Sequence, residues 1–357
     1  MEQRFLQIHL LTSYPPSNLN RDDLGRPKTA VMGGANRLRV SSQSLKRAWR
    51  TSSVFEGALN GHVGTRTKEM GHRFAAWAQQ AGASEKNARA WAREAAAQFG
   101  ALKTKKDDGK DESLEIEQLA HFGVDEFQAL EALAKTCGER GEGPSEDELK
   151  QLNLKTQAAD IALFGRMLAA KPSYNVEAAA QVAHAISVHR VTIEDDYFTA
   201  VDDLNDGQED AGAGHLGETE FAAGLFYLYL CLDRHLLLKN LGGDEQLASQ
   251  AIQSLLESAA TVAPSGKQNS FGSRARASYI LCETGNQQPR SLSVAFLKPV
   301  QERDHKEGMG PAAVQALTAT RSNMDKVYGA CAEGEPAELN AFTGQGSLDE
   351  LKAFACC

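Results

Sequence analysis

Five stretches of the chain carry the patterning of β-strands, either alternation of apolar and polar residues or enrichment in β-branched and aromatic residues. They lie at 4–12, 37–40, 176–191, 220–232 and 275–283. In the first, Leu6, Ile8 and Leu10 share one face, and His9 lies on the other, where we expect it near a ligand or in solvent. In the third, His184 and His189 would lie on opposite faces of a regular strand and therefore cannot pair on one metal ion.

Residues 43–50 have the spacing of a short amphipathic helix. Leu45, Ala48 and Trp49 recur at i, i+3 and i+4, and Ser41 and Ser42 precede them as candidate N-caps. Just before this helix, Leu38 and Val40 alternate with Arg37 and Arg39, which predicts a strand with one buried and one cationic face.

The stretch 61–170 is rich in alanine and interrupted by charged linkers such as 103–112. Ser145 and Glu148 form a capping box that opens one of several predicted helices. We interpret the aromatic residues of this region as core packing, not as a cofactor site. Further helices are predicted at 245–262, 312–321 and 348–355.

Two long connections stand out. Residues 13–36 contain Pro15, Pro16 and several glycines, so we expect a long loop, and its cations favour a functional role. Residues 195–217 are rich in Gly and Asp and lack Lys and Arg, and lie between two strand-forming runs, which suits a protruding hairpin.

The predicted order of elements is βα, a helical insertion, ββ with a long hairpin, then αβ. This order is the ferredoxin-like βαββαβ plan of RNA-recognition (RRM-like) modules, so the predicted fold class is α+β. We assign 1–60 and 176–298 to the sheet domain, with the hairpin at about 195–219, and 61–175 to the helical insertion. The remaining 299–357 form a mixed C-terminal segment that packs on the sheet domain.

Composition places the chain among ordinary globular proteins. It has 357 residues and a formal net charge of −9. Its six cysteines show no CxxC spacing, which favours reduced thiols over a disulfide framework or a zinc site. No apolar run approaches the roughly 20 residues of a membrane helix, and no signal-peptide pattern is present, so we expect a cytoplasmic protein.

The charge is unevenly distributed. Residues 20–50 hold eight Lys and Arg against Asp22 and Asp23, a balance of +6, which leaves −15 for the rest of the chain. A basic island in an acidic protein is typical of a site for a polyanion. Ser42, Lys46 and Arg50, spaced by four, share a helix face near a helix N-terminus, where phosphate binds readily. The alternative is a solvated basic helix capped by serine.

Several sequence motifs resemble those of one known family and occur in the same order as in that family. They are NLNRDD (18–23), GG..R.R.SSQSLKRA.R (33–50), DIAL.GRM (160–167), QVAHAISVH (181–189), DYFTAVDDL (196–204), HLG..EF..G.FY (215–227) and NLGG (240–243). On these motifs the chain resembles the CasC/Cse4 family, the repeating crRNA-binding backbone subunit of the type I-E CRISPR surveillance complex, Cascade. Residues 61–153 and those after 297 match only by position.

The resemblance implies an assembly role without catalysis, cofactor or metal. Family members have an RRM-like palm, helical fingers and a hairpin thumb. They stack head to tail into a helical filament along the crRNA, and the thumb displaces one guide nucleotide at regular intervals. The implied partners are crRNA, the target DNA strand paired to it, further copies of the chain, and the other Cascade subunits: the 5′-handle-binding, 3′-hairpin-binding, large and small subunits.

The resemblance also implies site residues. The positions that match the family's crRNA-backbone contacts are Asn20, Arg21, Lys28, Ser41, Gln43, Lys46, Arg47 and Arg50. From the cationic strand face we add Arg37 and Arg39. The positions that resemble the base-displacing wedge of thumb and finger are Met167, Tyr197, Phe198, Thr199, Val201 and Leu216. The alternative for Phe198 is a core residue of the sheet, and for Met167 a helix-packing residue.

Two rival functions remain open from sequence. Related backbone subunits of type III effectors cleave target RNA with a thumb Asp and a metal, and Asp202, Asp203 and Asp206 lie in the corresponding hairpin. A generic single-strand-binding protein would bind without requiring a guide. The acidic thumb tip, 202–210, would face either solvent or the basic palm of the next subunit.

Overall fold

The structure is a computed structural model that describes residues 2–104, 106–107, 111–152, 156–169, 171–200, 215–301 and 306–357. The chain divides into two compact units. Unit 1 comprises Met1–Phe55, Val182–Cys231 and Ile252–Cys357, and unit 2 comprises Glu56–Gln181 and Leu232–Ala251. The predicted division assigns 232–251 to the sheet domain, whereas the structure groups these residues with the helical unit.

The strands are β1 (Phe5–Ser17), β2 (Thr29–Met32), β3 (Ala35–Val40), β4 (Thr65–Thr67), β5 (Lys106–Asp107), β6 (Asp111–Glu112), β7 (Ala120–Phe122), β8 (Ala180–Val182), β9 (Ala185–Ser187), β10 (Glu194–Ala200), β11 (His215–Asp233), β12 (Ala277–Gly285) and β13 (Ala337–Asn340). The helices are α1 (Ser42–Arg50), α2 (Ser53–Ala58), α3 (Met70–Gln80), α4 (Glu85–Ala96), α5 (Val124–Arg140), α6 (Glu146–Gln151), α7 (Ala159–Phe164), α8 (Arg234–Asn240), α9 (Glu245–Thr261), α10 (Gln268–Phe271), α11 (Met309–Tyr328) and α12 (Leu348–Cys356). Two short 3₁₀ helices lie at Pro172–Tyr174 and Ser293–Phe296.

Unit 1 is built on a sheet whose strands follow the order β13-β12-β1-β11-β9-β3-β2. β1 pairs antiparallel with β12 from Phe5↔Gly285 onward. The mixed α/β class is confirmed. The prediction for β1 is wrong in two respects: the strand is longer than expected, and its first part is buried on both faces. Leu11 and Tyr279 pack with Phe296 and Leu317 in one hydrophobic cluster, so helix α11 covers one side of the sheet.

His9 is therefore in neither of the expected positions. It is fully buried, with Nδ1 2.9 Å from the Tyr227 hydroxyl and Nε2 3.3 Å from the Glu283 carboxylate. Glu283 also accepts hydrogen bonds from Arg290 and from Arg321 of α11. Burial lowers the pKa of His9, and the hydrogen bonds from His9 and Arg290 outweigh burial to lower the pKa of Glu283. These contacts attach α11 to the sheet.

Nearly half of the long loop predicted over 13–36 is strand. β1 continues to Ser17, and β2 and β3 form a hairpin with Met32 opposite Ala35. Gly33 and Gly34 connect them with φ of 60° and 72°, the left-handed conformation that two-residue hairpin turns require. A side chain at Gly33 would also collide with the carbonyl of Leu297. The Gly-Gly pair is thus a hairpin signal, and only 18–28 remain as a connection.

The strand predicted over 176–191 is broken. β8 ends at Val182 and β9 begins at Ala185 and ends at Ser187. His184 lies in the gap between the two strands, and His189 lies beyond β9, where its Nε2 accepts the backbone N–H of Leu225. The two histidines occupy separate environments.

The predicted hairpin is present in the part of it that the structure describes. β10 pairs antiparallel with β11 from Glu194↔Phe221 to Ala200↔His215. The side chains of β10 are exposed along its length. Val201 and the acidic tip, 202–210, lie outside the described residues.

Unit 2 is mainly helical, as predicted for the insertion. Phe74, Trp91, Phe99 and Phe122 are buried in one hydrophobic cluster, which confirms their interpretation as core. The capping box of α6 is also present, with Ser145 and Glu148 each accepting a backbone N–H. α8 belongs to this unit because the Asn240 side chain donates to the carbonyls of Ala162 and Glu177.

In the part of the chain that is described, no helix has both the length and the apolar character needed to cross a membrane. The six cysteines are present as thiols, and Cys137, Cys231, Cys282 and Cys331 are buried.

Candidate nucleic-acid interface

Helix α1 carries three cations, Lys46, Arg47 and Arg50, outside its buried face. Ser41 is the N-cap, and its hydroxyl accepts the backbone N–H of Ser44, while Leu45 and Trp49 are buried. This arrangement confirms the predicted helix and its buried face. Gln43 and Arg47 are exposed, and Ser42, Lys46 and Arg50 are half-buried. The first turn of α1 contains no acidic residue, so its N-terminus has no carboxylate of its own beside it.

The connection 18–28 is ordered by its own hydrogen bonds and lies beside the N-terminus of α1. Asn20 Oδ1 accepts the backbone N–H of Ser41 at 2.9 Å, and the Asn20 carbonyl accepts the N–H of Lys28 at 2.9 Å. The Asp22 carboxylate accepts the N–H of Arg26, which closes the turn. Arg21 is exposed at this turn. Asn20 thus holds the loop against the helix through its side-chain oxygen.

A row of residues crosses four neighbouring segments of the sheet. The Lys28 carbonyl accepts the N–H of Arg39, and Arg39 is paired with Ile186, which is paired with Tyr227. Residues directly opposite one another share a face of a sheet, so Lys28 and Arg39 are neighbours there. The Arg39 guanidinium lies 3.2 Å from Nδ1 of His184. Partial burial lowers the pKa of His184, and the charges of Arg39 and Lys28 lower it further.

Arg37 does not belong to this surface, and the prediction that it contacts phosphate is wrong. Its side chain is 0% exposed. The guanidinium donates to the carbonyls of Ser187 at 2.9 Å and Phe296 at 2.8 Å, with Leu297 at 3.4 Å. Burial also lowers the pKa of Arg37. This arginine holds the Ser293–Phe296 segment against β3 and β9 and has no path to solvent.

The thumb hairpin carries exposed apolar side chains close to the sheet. Tyr197 is 65% exposed, Phe198 43% and Leu216 57%, and Thr199 is exposed as well. Phe198 is therefore not a buried core residue, which rules out the alternative interpretation. Phe198 lies directly opposite Gly217. A Cβ on Gly217 would fall 2.3 Å from Cζ of Phe198, so the ring lies over this glycine.

Met167 of unit 2 is also held out into solvent. It is 73% exposed and lies outside any helix, so it is not a helix-packing residue. The preceding Arg166 is buried, donating to Glu126 at 2.6 Å and to the Tyr174 carbonyl at 2.9 Å. Gln118 donates to the carbonyl of Met167. The buried Arg166 thus fixes the backbone next to Met167, whose side chain projects into solvent.

Sequence reasoning missed two residues of this region. Asn18 is fully buried, and its amide donates to the carbonyls of Gly25 and Glu220, which attaches the 18–28 connection to β11. The position of Asn18 in the NLNRDD motif could have identified it from the sequence as a residue of this region. His184 was considered only as a metal ligand. In the described ranges, no group of three or more His, Cys, Asp or Glu residues is placed to hold a metal ion. Asp202, Asp203 and Asp206 fall outside those ranges.

The family model described as "CT1975-like protein" matches residues 6–352. Among solved structures, a chain of a "CRISPR RNA-guided surveillance complex, pre-nicking" is 31% identical with a TM-score of 0.86, over 98% of this chain and 100% of that one. A chain of a "CRISPR RNA-guided surveillance complex" is 26% identical with a TM-score of 0.72, over 98% of this chain and 99% of that one. No curated protein matches the chain. The resemblance to the CasC/Cse4 family is confirmed, and the chain belongs to the CT1975-like protein family.

Proposed function

We propose that the chain is the repeating, non-catalytic backbone subunit of a type I-E CRISPR RNA-guided surveillance complex. It binds the phosphate backbone of crRNA and presents guide bases in segments for pairing with target DNA. Neighbouring copies stack head to tail along the guide, and the other Cascade subunits bind the ends and sides of this filament. Sequence recognition then belongs to base pairing, while the protein holds the backbone.

The observation that carries this proposal is one continuous basic surface in unit 1. The turn at Arg21, the pair Lys28 and Arg39, and the N-terminus of α1 are joined by the Asn20 hydrogen bonds. The first turn of α1 contains no acidic residue. A helix N-terminus with cations nearby suits phosphate. Two matched structures are chains of CRISPR RNA-guided surveillance complexes, which supports crRNA as the polyanion.

The sheet supports its interpretation as a ferredoxin-like palm. In the plan βαββαβ the first, second, third and fourth strands correspond to β1, β9, β11 and β12. Their spatial order is β12-β1-β11-β9, that is fourth, first, third, second. This is the order of strands in ferredoxin-like sheets, with β10 and the first part of β11 as the thumb and unit 2 as the fingers.

The exposed side chains of the thumb support the displacement of bases. Tyr197, Phe198 and Leu216 offer apolar surface to a strand of RNA, and Met167 offers the same from the fingers. Wedging such side chains between bases unstacks one step at a cost of about a few kcal/mol. Phosphate contacts repeated along the filament offset this cost.

The test is assembly on RNA followed by native mass spectrometry. Head-to-tail contacts between identical subunits need not close. We expect the protein alone to be monomeric or polydisperse, and its mass with guide to increase in steps with guide length. A closed ring formed without RNA contradicts the proposal. RNA of one uniform length should co-purify, whereas a generic single-strand-binding protein would carry mixed lengths. A single-turnover assay with guide, complementary RNA and Mg²⁺ should leave the RNA intact.

A further inference from the structure

The base of the thumb is attached to the connection 18–28 at one residue of β11, Glu220. The backbone carbonyl of Glu220 accepts a hydrogen bond from the side-chain amide of Asn18 at 2.9 Å. Its carboxylate lies 3.2 Å from Nε of Arg26. Asn18 is fully buried and also donates to the carbonyl of Gly25 at 3.0 Å. One turn of the connection therefore holds Glu220 through both its backbone and its side chain.

Glu220 lies at the point where the thumb leaves the sheet. Later in β11, Phe226 and Tyr227 pair with β9. Glu220 pairs instead with Asp195 of β10, a strand that lies off the main order of the sheet. A two-stranded ribbon is only marginally stable by itself, so contacts at its base determine the direction in which it projects.

The base of the thumb also carries an excess of negative charge. Residues 191–233 contain no Lys or Arg. Asp195 lies directly opposite Glu220, and Glu218 follows two residues away on the same face. Like charges directly opposite one another destabilise a strand pair. The Glu220 side chain is only 20% exposed, so solvent screens its charge incompletely. Arg26 supplies the cation that these strands lack.

The same contacts connect the thumb to the basic surface. Arg21, Arg26 and Glu220 line one pocket, together with Lys267. A phosphate bound at Arg21 would lie in this pocket with the Glu220 carboxylate, and the two negative charges would repel each other. Neutralisation of Glu220 by Arg26 lowers this repulsion, so the thumb can stay beside the RNA backbone.

We propose that Glu220 is a positioning residue that couples guide binding to the thumb, because Asn18 and Arg26 attach it to the connection 18–28. This inference rests on the proposed function and adds to it the contacts that transmit the position of the guide backbone to the thumb. It assigns Arg26 to the thumb and not to a phosphate. Coupling is reciprocal, so a guide bound at the connection stabilises the thumb.

The first experiment is hydrogen–deuterium exchange of the whole protein with and without guide RNA. The readout is the peptide that contains β10. We expect guide to slow its exchange in the unmodified protein, and this protection to decrease by about 5-fold or more in Glu220→Gln and Arg26→Gln, in line with typical coupling between sites. Protection that persists in both variants arises from direct contact with RNA alone and overturns the inference. An unmodified protein that binds no guide overturns the proposed function instead.

The second experiment exchanges the two charges. Arg26→Glu and Glu220→Arg each place like charges at the pair, and the double variant restores opposite charges in reversed order. We expect each single variant to lose the periodic reactivity of displaced guide bases and the double variant to regain it. Glu220→Arg adds positive charge near the guide, so its affinity for guide should not fall. Loss of reactivity without loss of affinity separates positioning from phosphate binding.

Glu218→Gln is the matched control for these variants. It removes a carboxylate from the same face of β11 and leaves the pair of Arg26 and Glu220 intact, so it should keep the periodic reactivity. Equal reactivity in Glu220→Arg and Glu218→Gln overturns the inference. So does a double variant that is folded by circular dichroism and regains nothing. If a charge-reversed variant misfolds, the two Gln variants of the exchange experiment decide.

Discussion

The ring of Phe198 lies over the α-carbon of Gly217, its partner across the thumb hairpin. The glycine has no side chain, so the ring can approach the neighbouring strand closely at the base of the thumb. Gly217 is not among the glycines with positive φ, so its requirement is for space and not for backbone conformation. In the proposed function, Gly217 therefore sets the position from which Phe198 is offered to RNA.

Replacing either residue should disrupt base displacement without unfolding the protein. Phe198→Ala removes a side chain that is 43% exposed, so its cost should be well below the roughly 3–5 kcal/mol of a buried phenylalanine. Gly217→Ala keeps the ring but forces it away. We expect both variants to bind guide and to lose the periodic reactivity of displaced bases toward a probe of unpaired nucleotides.

Gly57→Ala is the control for a glycine substitution, because a Cβ there meets no atom within 4 Å. It should keep the periodic reactivity. A destabilised Phe198→Ala variant that also keeps the periodic reactivity would remove Phe198 from the site.

The cations of α1 should contribute equally to the affinity for every guide RNA, whatever its base sequence. Each phosphate contact with a single strand contributes about 0.7 to the slope of log affinity against log salt. Lys46→Ala combined with Arg50→Ala should therefore flatten the slope by about 1.4 and weaken all guide sequences equally. Filter binding of several guides over a salt series measures this. A loss restricted to some guide sequences would show that these residues contact bases.

Replacing Arg37 should lower the stability of the fold and leave the salt dependence of guide binding unchanged. Arg37→Met leaves the carbonyls of Ser187 and Phe296 without their donor, and each buried unpaired group costs about 1–3 kcal/mol. We expect a lower free energy of unfolding in urea and an unchanged salt slope for the folded fraction. A flattened slope with unchanged stability would place Arg37 back on the phosphate surface.

Guide binding should be linked to protonation of His184. In the free protein its pKa lies below the usual 6.5, through partial burial and then through Arg39 and Lys28. A phosphate held by these two cations offsets their charge and raises the pKa. Between the pKa of His184 in the free protein and its higher pKa in the complex, the complex binds more protons than the free protein. The affinity for guide should therefore increase as pH falls through this range.

NMR titration of the His184 ring with and without a short guide measures the shift directly. His184→Asn should remove this part of the pH dependence. A pKa that does not change on RNA binding would show that no phosphate lies at Lys28 and Arg39.

The sequence predicted those helices and hairpins whose determining residues lie close together in the chain. The α1 helix follows from Ser41 as cap and from Leu45 and Trp49 on one face, all within nine positions. The hairpin of β10 and β11 follows likewise from neighbouring strand-forming runs. The β2–β3 hairpin was missed although the Gly33-Gly34 pair is a signal for a hairpin turn. The surrounding prolines and glycines led us to interpret the whole segment as one loop.

Residues whose environment depends on distant parts of the chain could not be placed. Arg37 was assigned to the surface because it alternates with Leu38 and shares a strand face with Arg39, yet its carbonyl partner Phe296 is 259 positions away. His9 was expected at a ligand or in solvent, yet its partner Glu283 is 274 positions away. Alternation along a strand indicates two faces, but it does not show that both faces are covered.

The position of β1 between β11 and β12 has a consequence for synthesis. β1 leaves the ribosome well before either partner, and its pairing from Phe5↔Gly285 cannot be completed until β12 has been made. At about 5–20 residues per second, this delay is roughly 15 to 60 seconds. Until β11 has been made, this strand, whose first part is buried on both faces in the folded protein, has neither neighbour, and until β12 has been made it has only one. Nascent chains should therefore depend on a chaperone until β12 emerges, and ribosomes stalled before Ala277 should release chains that aggregate or are degraded.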